Sequence, residues 1–224
     1  MKKALVLLVV LTISAVAAQA ANEVIQYTYE SNSLAPSLQT NGFVATNTAK
    51  VGGGTILTPT SSVTGINGFV QSNVWSNSAT FNSTDYWTFT VTNNNGDAWN
   101  FTGFTFDAGR SNTGPTSFEL RTNAAGDNFT TTLLSGTTIP NGNGNANNAG
   151  SWGNFGGAIN VTIGAGATEE FRLYGFNASN ATAGTFRIDN VTFTAVSAIP
   201  EPGSAALLGL GGLGAILFAR RRRR

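Results

Sequence analysis

Glu169 and Glu170 are the only adjacent acids in the sequence. A glycosidase needs two carboxyl groups about 5 to 9 Å apart across a cleft. Neighbours on a strand point to opposite faces, so this pair reads as a solvated strand edge. Histidine is absent. That removes histidine-dependent nucleophile triads, imidazole metal sites and the usual general base at neutral pH. Cysteine is absent too, so the fold rests on its core alone. The remaining chemistry is that of aromatic rings, whose faces stack on the apolar faces of sugars. Trp75, Trp99 and Trp152 are the candidates. Trp87 falls in phase with the core, and Trp99 is expected to follow it inward. Trp152 and Phe155 lie in an Asn/Gly-rich stretch, Pro140 to Gly157, that reads as a long loop. They form either an exposed ligand platform or an aromatic plug at the end of the domain.

These residues need a scaffold, and the sequence between them shows which one. Short period-two apolar runs alternate with Gly, Asn and Pro turns, the pattern of an all-β chain. Val24–Glu30 is the first predicted strand. Short strands are predicted around Phe43–Asn47 and Gly68–Val74. Tyr86–Thr92 places Trp87, Phe89 and Val91 on one face. Trp99–Asp107 returns after the turn Asn93–Asp97, and the two runs predict a hairpin. The apolar phase of the second run slips between Phe101 and Phe104, which predicts a β-bulge at Gly103. Ser117–Thr122, Phe129–Leu134, Ile159–Ile163, the run around Phe171 and Leu173, and Thr185–Ala195 complete the set, with another slip at Asp189-Asn190. The fold class is a single antiparallel β-sandwich, jelly-roll-like.

The ends have a different character. Met1-Lys2-Lys3, an apolar run to Ala18 and the small-x-small site Ala18-Gln19-Ala20 form a secretory signal cleaved after Ala20. At the other end, Pro200-Glu201-Pro202-Gly203 is extended and exposed, because each proline fixes φ and removes a donor. Ser204–Ala219 carries no charge. As a helix it reaches roughly 24 Å at about 1.5 Å per residue, slightly short of a hydrocarbon core of about 30 Å. Arg220, Arg221, Arg222, Arg223 and Arg224 then stop transfer and stay cytoplasmic. The chain therefore divides into a signal peptide (1–20), a β-sandwich domain (21–197) and a sorting tail (198–224). The implied partners are the Sec translocon and signal peptidase, and transiently the inner membrane. Without its ends the body holds five basic and ten acidic side chains, a net charge of −5, whereas the whole chain reads +1. An acidic body does not suit nucleic acid, which needs a basic face.

The tail closely resembles the PEP-CTERM sorting signal of Gram-negative bacteria, with Pro200, Glu201, Pro202, the span and the arginines all present. The resemblance implies recognition by an exosortase, a membrane cysteine transpeptidase, in a bacterium that makes extracellular polysaccharide. Gly114–Arg121, Phe171–Phe176 and Gly184–Val191 look like segments of PEP-CTERM bodies with jelly-roll sandwiches. Ile188-Asp189-Asn190-Val191 also resembles the last strand of galactose-binding-like carbohydrate modules. In those modules the first and last strands lie together and often hold a structural Ca²⁺. That resemblance makes Glu30 and Asp189 the matching carboxylates. The other reading is that Asp189 and Asn190 cap a bulge through side-chain-to-backbone hydrogen bonds. The functional expectation is an exported, non-catalytic protein of the cell surface or extracellular matrix, structural or associated with exopolysaccharide. The alternative is a carbohydrate-binding adhesion module. A jelly-roll enzyme acting on glycans is a third reading, opposed by the missing histidine.

Overall fold

Alternation of large apolar and hydroxyl side chains gives each long strand one greasy face, and two such sheets bury those faces against each other. The protein, here a computed structural model, is described over residues 22–40, 42–57, 68–124, 126–141 and 152–198, all inside the compact unit Ala20–Ala198. The expectations for Ala18, Ala20, Pro200–Pro202, the apolar span and the five terminal arginines lie outside the described residues.

Among the described residues thirteen strands run in order: β1 (Asn22–Tyr27), β2 (Leu38–Gln39), β3 (Phe43–Ala45), β4 (Ala49–Val51), β5 (Ile56–Leu57), β6 (Val70–Ser72), β7 (Tyr86–Asn93), β8 (Trp99–Arg110), β9 (Pro115–Thr122), β10 (Thr132–Thr137), β11 (Gly153–Ile163), β12 (Thr168–Ala178) and β13 (Phe186–Ser197). One sheet has seven strands, in the order β11-β8-β13-β1-β2, with β6 also on β13 and β5 on β6. The other has six, in the order β10-β9-β12-β7-β3, with β4 sharing the edge of β7. The pairings between strands are antiparallel. From β6 onward the chain changes sheet at almost every connection. The architecture is the antiparallel sandwich read from the sequence.

The core is aromatic. Phe193 of β13 lies 4.9 Å from Phe171 and 5.9 Å from Phe89 of the opposite sheet, and 4.9 Å from Phe104 of its own. Phe106 meets Phe118 across the sandwich edge-on at 5.0 Å. Trp75 and Trp87 are fully buried, with ring centroids 5.7 Å apart. Trp75 therefore offers no platform, and Trp87 sits in the core as its phase predicts. Trp99 is half-buried, edge-on to Phe43 at 5.3 Å.

Both phase slips are bulges. On β13, Thr194 faces Gly103 and Ala195 faces Phe101, so Thr102 is the extra residue. A Cβ on Gly103 would come within 2.5 Å of Thr194 Oγ1, which is why glycine stands there. Further along, Asn190 and Val191 together oppose the single residue Phe106. Asn190 takes a left-handed φ of 47° to do so.

Three local expectations are corrected. Tyr86–Thr92 and Trp99–Asp107 are not a hairpin: β7 belongs to the six-stranded sheet and β8 to the seven-stranded one. Both strands turn a greasy face inward, so their connection is an arch over the end of the core. Asn93 holds that arch, donating from its amide to the carbonyls of Asp97 (2.9 Å), Ile163 (3.0 Å) and Gly164 (3.1 Å). The second correction concerns Phe155, which is on β11 and not in a loop. Its small neighbours Gly156 and Gly157 let the strand lie close against β8 and β10. The third concerns Glu169 and Glu170, which sit on β12, an interior strand between β9 and β7.

Candidate functional site

The outer face of the seven-stranded sheet gathers polar groups where the second bulge breaks its register. Asp107 of β8 faces Asp189 of β13. Asn154 of β11, opposite Asp107 on the other side, donates to Asp107 Oδ1 at 2.9 Å. Asn190 donates from its side chain to Asp107 Oδ2 at 2.8 Å, and from its backbone N–H to Asp189 Oδ1 at 2.7 Å. The result is a row across three strands: Asn154, Asp107, Asn190, Asp189. Asp189 is 2% exposed. Burial pushes its carboxyl up to about 7, and the nearby charges of Asp107 and Glu30 push the same way, against the Asn190 N–H. Buried Tyr29 flanks it, its hydroxyl paired with that of Thr48 at 2.9 Å.

Glu30 therefore lies close enough to Asp189 to act on it. Glu30 itself falls not at the end of β1 but in the 3₁₀ turn Glu30–Asn32. Calcium takes six to eight oxygens; Asp107 accepts from the side chains of Asn154 and Asn190, and Asp189 from the Asn190 N–H. Among the described residues no group of three or more acidic, His or Cys side chains is arranged to hold a metal ion. The Asp189–Asn190 hydrogen bond is the bulge cap that the sequence offered as its other reading.

Trp152 immediately precedes β11, two residues before Asn154. It is half-buried, its ring edge-on to buried Phe69 at 5.4 Å. Phe155 turns to the other face and packs on Phe106 (5.6 Å) and Phe118 (5.0 Å). The structure thus separates the two: Phe155 plugs the core, while Trp152 flanks the acid–amide row. Sequence reasoning missed Asp107 and Asn154. The signal was present in the slip at Asp189-Asn190, since a bulge aims a side chain out of register towards its neighbours.

The outer face of the six-stranded sheet carries a second cluster. Arg172 lies flat against Phe129 at 3.5 Å and over Tyr86 at 4.5 Å, and its Nε donates to Glu170 at 2.8 Å. Arg121 lies against Phe81 at 3.5 Å, paired with Glu119 and donating to the carbonyls of Phe129 and Thr130. Glu170 also accepts from Thr88 at 2.9 Å, and Glu169 accepts from the Thr122 hydroxyl and the Asn123 N–H. The two glutamates are tied to different neighbouring strands, one to β9 and one to β7. Both serve as hydrogen-bond anchors of the sheet.

Compared with known proteins, residues 198–224 match the PEP-CTERM protein-sorting motif. That motif marks an exported protein, held in the membrane before exosortase processing. No match is found among curated proteins. Among solved structures, the chain is similar to the K1 cleaved adhesin domain of Lys-gingipain from Porphyromonas gingivalis W83, with 13% identity over 78% of this chain and 98% of that one, at a TM-score of 0.40. It is also similar to the family 11 carbohydrate-binding module of the cellulase Lic26A-Cel5E of Clostridium thermocellum, with 14% identity, coverage of 79% and 97%, and a TM-score of 0.34. CBM35 from Paenibacillus barcinonensis is 18% identical, with coverage of 76% and 98% and a TM-score of 0.31. Likenesses at this level do not bear on activity.

Proposed function

We propose that this chain is sorted by its PEP-CTERM tail to the cell surface or extracellular matrix, where the sandwich has a non-catalytic role, structural or in contact with exopolysaccharide. The observation that carries the reading is the match of residues 198–224 to the sorting motif. The charge distribution supports it: the arginines that give the chain its basic balance are concentrated behind the span, and the body is acidic. Support for a non-catalytic role comes from the engagement of Glu169 and Glu170 in the sheet and from the lack of histidine. The test is cell fractionation of the wild type beside a Pro200→Ala, Pro202→Ala variant. The wild type is expected in the extracellular fraction and the variant in the inner membrane. Equal release of the two would overturn the reading.

A second reading, carbohydrate binding, is favoured by one juxtaposition. Trp152, half-buried against Phe69, lies two residues before Asn154, which joins the acid–amide row of Asp107 and Asn190. In affinity electrophoresis through the producing organism's own exopolysaccharide, the released protein is expected to be retarded. Trp152→Ala is expected to weaken retardation about tenfold, the size of one stacking contact of about 1 to 1.5 kcal/mol. Unchanged mobility with and without the polysaccharide would remove this reading and leave the sorting reading intact.

A further inference from the structure

Each sheet of an open sandwich ends in strands with one row of unpaired backbone N–H and C=O groups. Such edges attract other strands unless they are short, charged, proline-bearing or covered. On one side of this sandwich the protection is plain among the described residues. β2 and β5 are two residues long, and β3 and β4 are three. On the other side the outermost strands among the described residues are β11 and β10, and they are long: eleven and six residues. Neither contains a charged residue or a proline. Indeed no charge occurs from Asn128 to Ile163, although the body elsewhere carries fifteen charged side chains. The bare stretch includes both of the long edges.

We infer that the β11 edge is a self-association surface, which pairs antiparallel with the β11 edge of a second copy and extends the seven-stranded sheet across a two-fold axis. A second copy is the occupant the charge pattern selects. Two bodies of net charge −5 repel wherever their acids face each other, and this uncharged side is where they can approach without that cost. The pairing is isologous, so residue i of one edge meets residue j of the other and j meets i, and every partner comes from the same uncharged run. The geometry suits it as well. Gly153–Ala158 keeps an even register with β8, and the irregularity lies beyond, between Ala158 and Val161. Asn154, Gly156 and Ala158 are exposed and small, so no bulky side chain stands over the edge.

Analytical ultracentrifugation of the released protein tests this. A dimer is expected at about 100 µM, and Ala158→Lys, which brings one like charge from each copy into the uncharged seam, is expected to weaken it at least tenfold. Thr105→Lys, exposed on the same face but one strand inward, is expected to leave the dimer unchanged. Thermal melting of each variant separates loss of association from loss of fold. Hydrogen exchange gives a second readout that needs no variant: the outward amides of β11 are protected at high protein concentration and lose that protection on dilution. A monomer at about 100 µM, or a dimer equally sensitive to both lysines, overturns the inference.

Discussion

Asp189 shows what burial does to a single group. Its carboxyl is pushed up to about 7 by burial and by facing Asp107 and Glu30. In the unfolded chain it titrates near 3.8. The folded state therefore holds a proton that the unfolded state has released, and stability falls as pH rises from about 4 to about 7. Asp189→Asn keeps the hydrogen-bonding shape without the charge. It is expected to raise Tm at pH 8 by a few degrees and to flatten the pH dependence below it. A calcium ion held by the same carboxylate would give the reverse, with added Ca²⁺ raising Tm and Asp189→Asn lowering it. At the centre of the core, Phe193 touches Phe89, Phe101, Phe104 and Phe171. Phe193→Ala is expected to cost about 3 to 5 kcal/mol in denaturant unfolding, since these rings belong to both sheets and cannot all collapse into the cavity.

The strands themselves were legible because their signal is local. Alternation fixed which face of β7, β9, β12 and β13 is buried, and a break in alternation located both bulges. Pairing was not legible. Nothing within Tyr86–Asp107 distinguishes a hairpin from an arch, because both begin with two inward-facing runs and a polar turn. The difference lies in Asn93, whose amide reaches carbonyls some seventy residues away. Asn93→Ala strands the buried carbonyl of Ile163 and is expected to cost about 3 kcal/mol, whereas Asn94→Ala, exposed in the same arch, is expected to be nearly silent. The same limit applies to the candidate site. Trp152 was visible as an isolated aromatic, but Phe155 was grouped with it through loop composition, and only the β8–β11 register separates the two. Asp107 and Asn154 acquire meaning from β13, which follows them in the sequence by many residues.

At the scale of the molecule, two populations of residues follow different rules. The body spreads ten acids and five bases thinly over hydroxyl- and amide-rich strands, and its rigidity comes from an aromatic core instead of disulfides. The ends concentrate the remaining arginines, the longest apolar runs and the Pro-Glu-Pro box. That contrast is what makes the chain's destination clearer than its ligand: topogenic signals are written in consecutive residues, and binding faces are assembled across strands. The most direct measurement is the intact mass of the protein recovered outside the cell that makes it. The account predicts a chain that begins at Ala21 and lacks Arg220–Arg224. Recovery of the full 224-residue chain, with Met1 and all five terminal arginines in place, would contradict it.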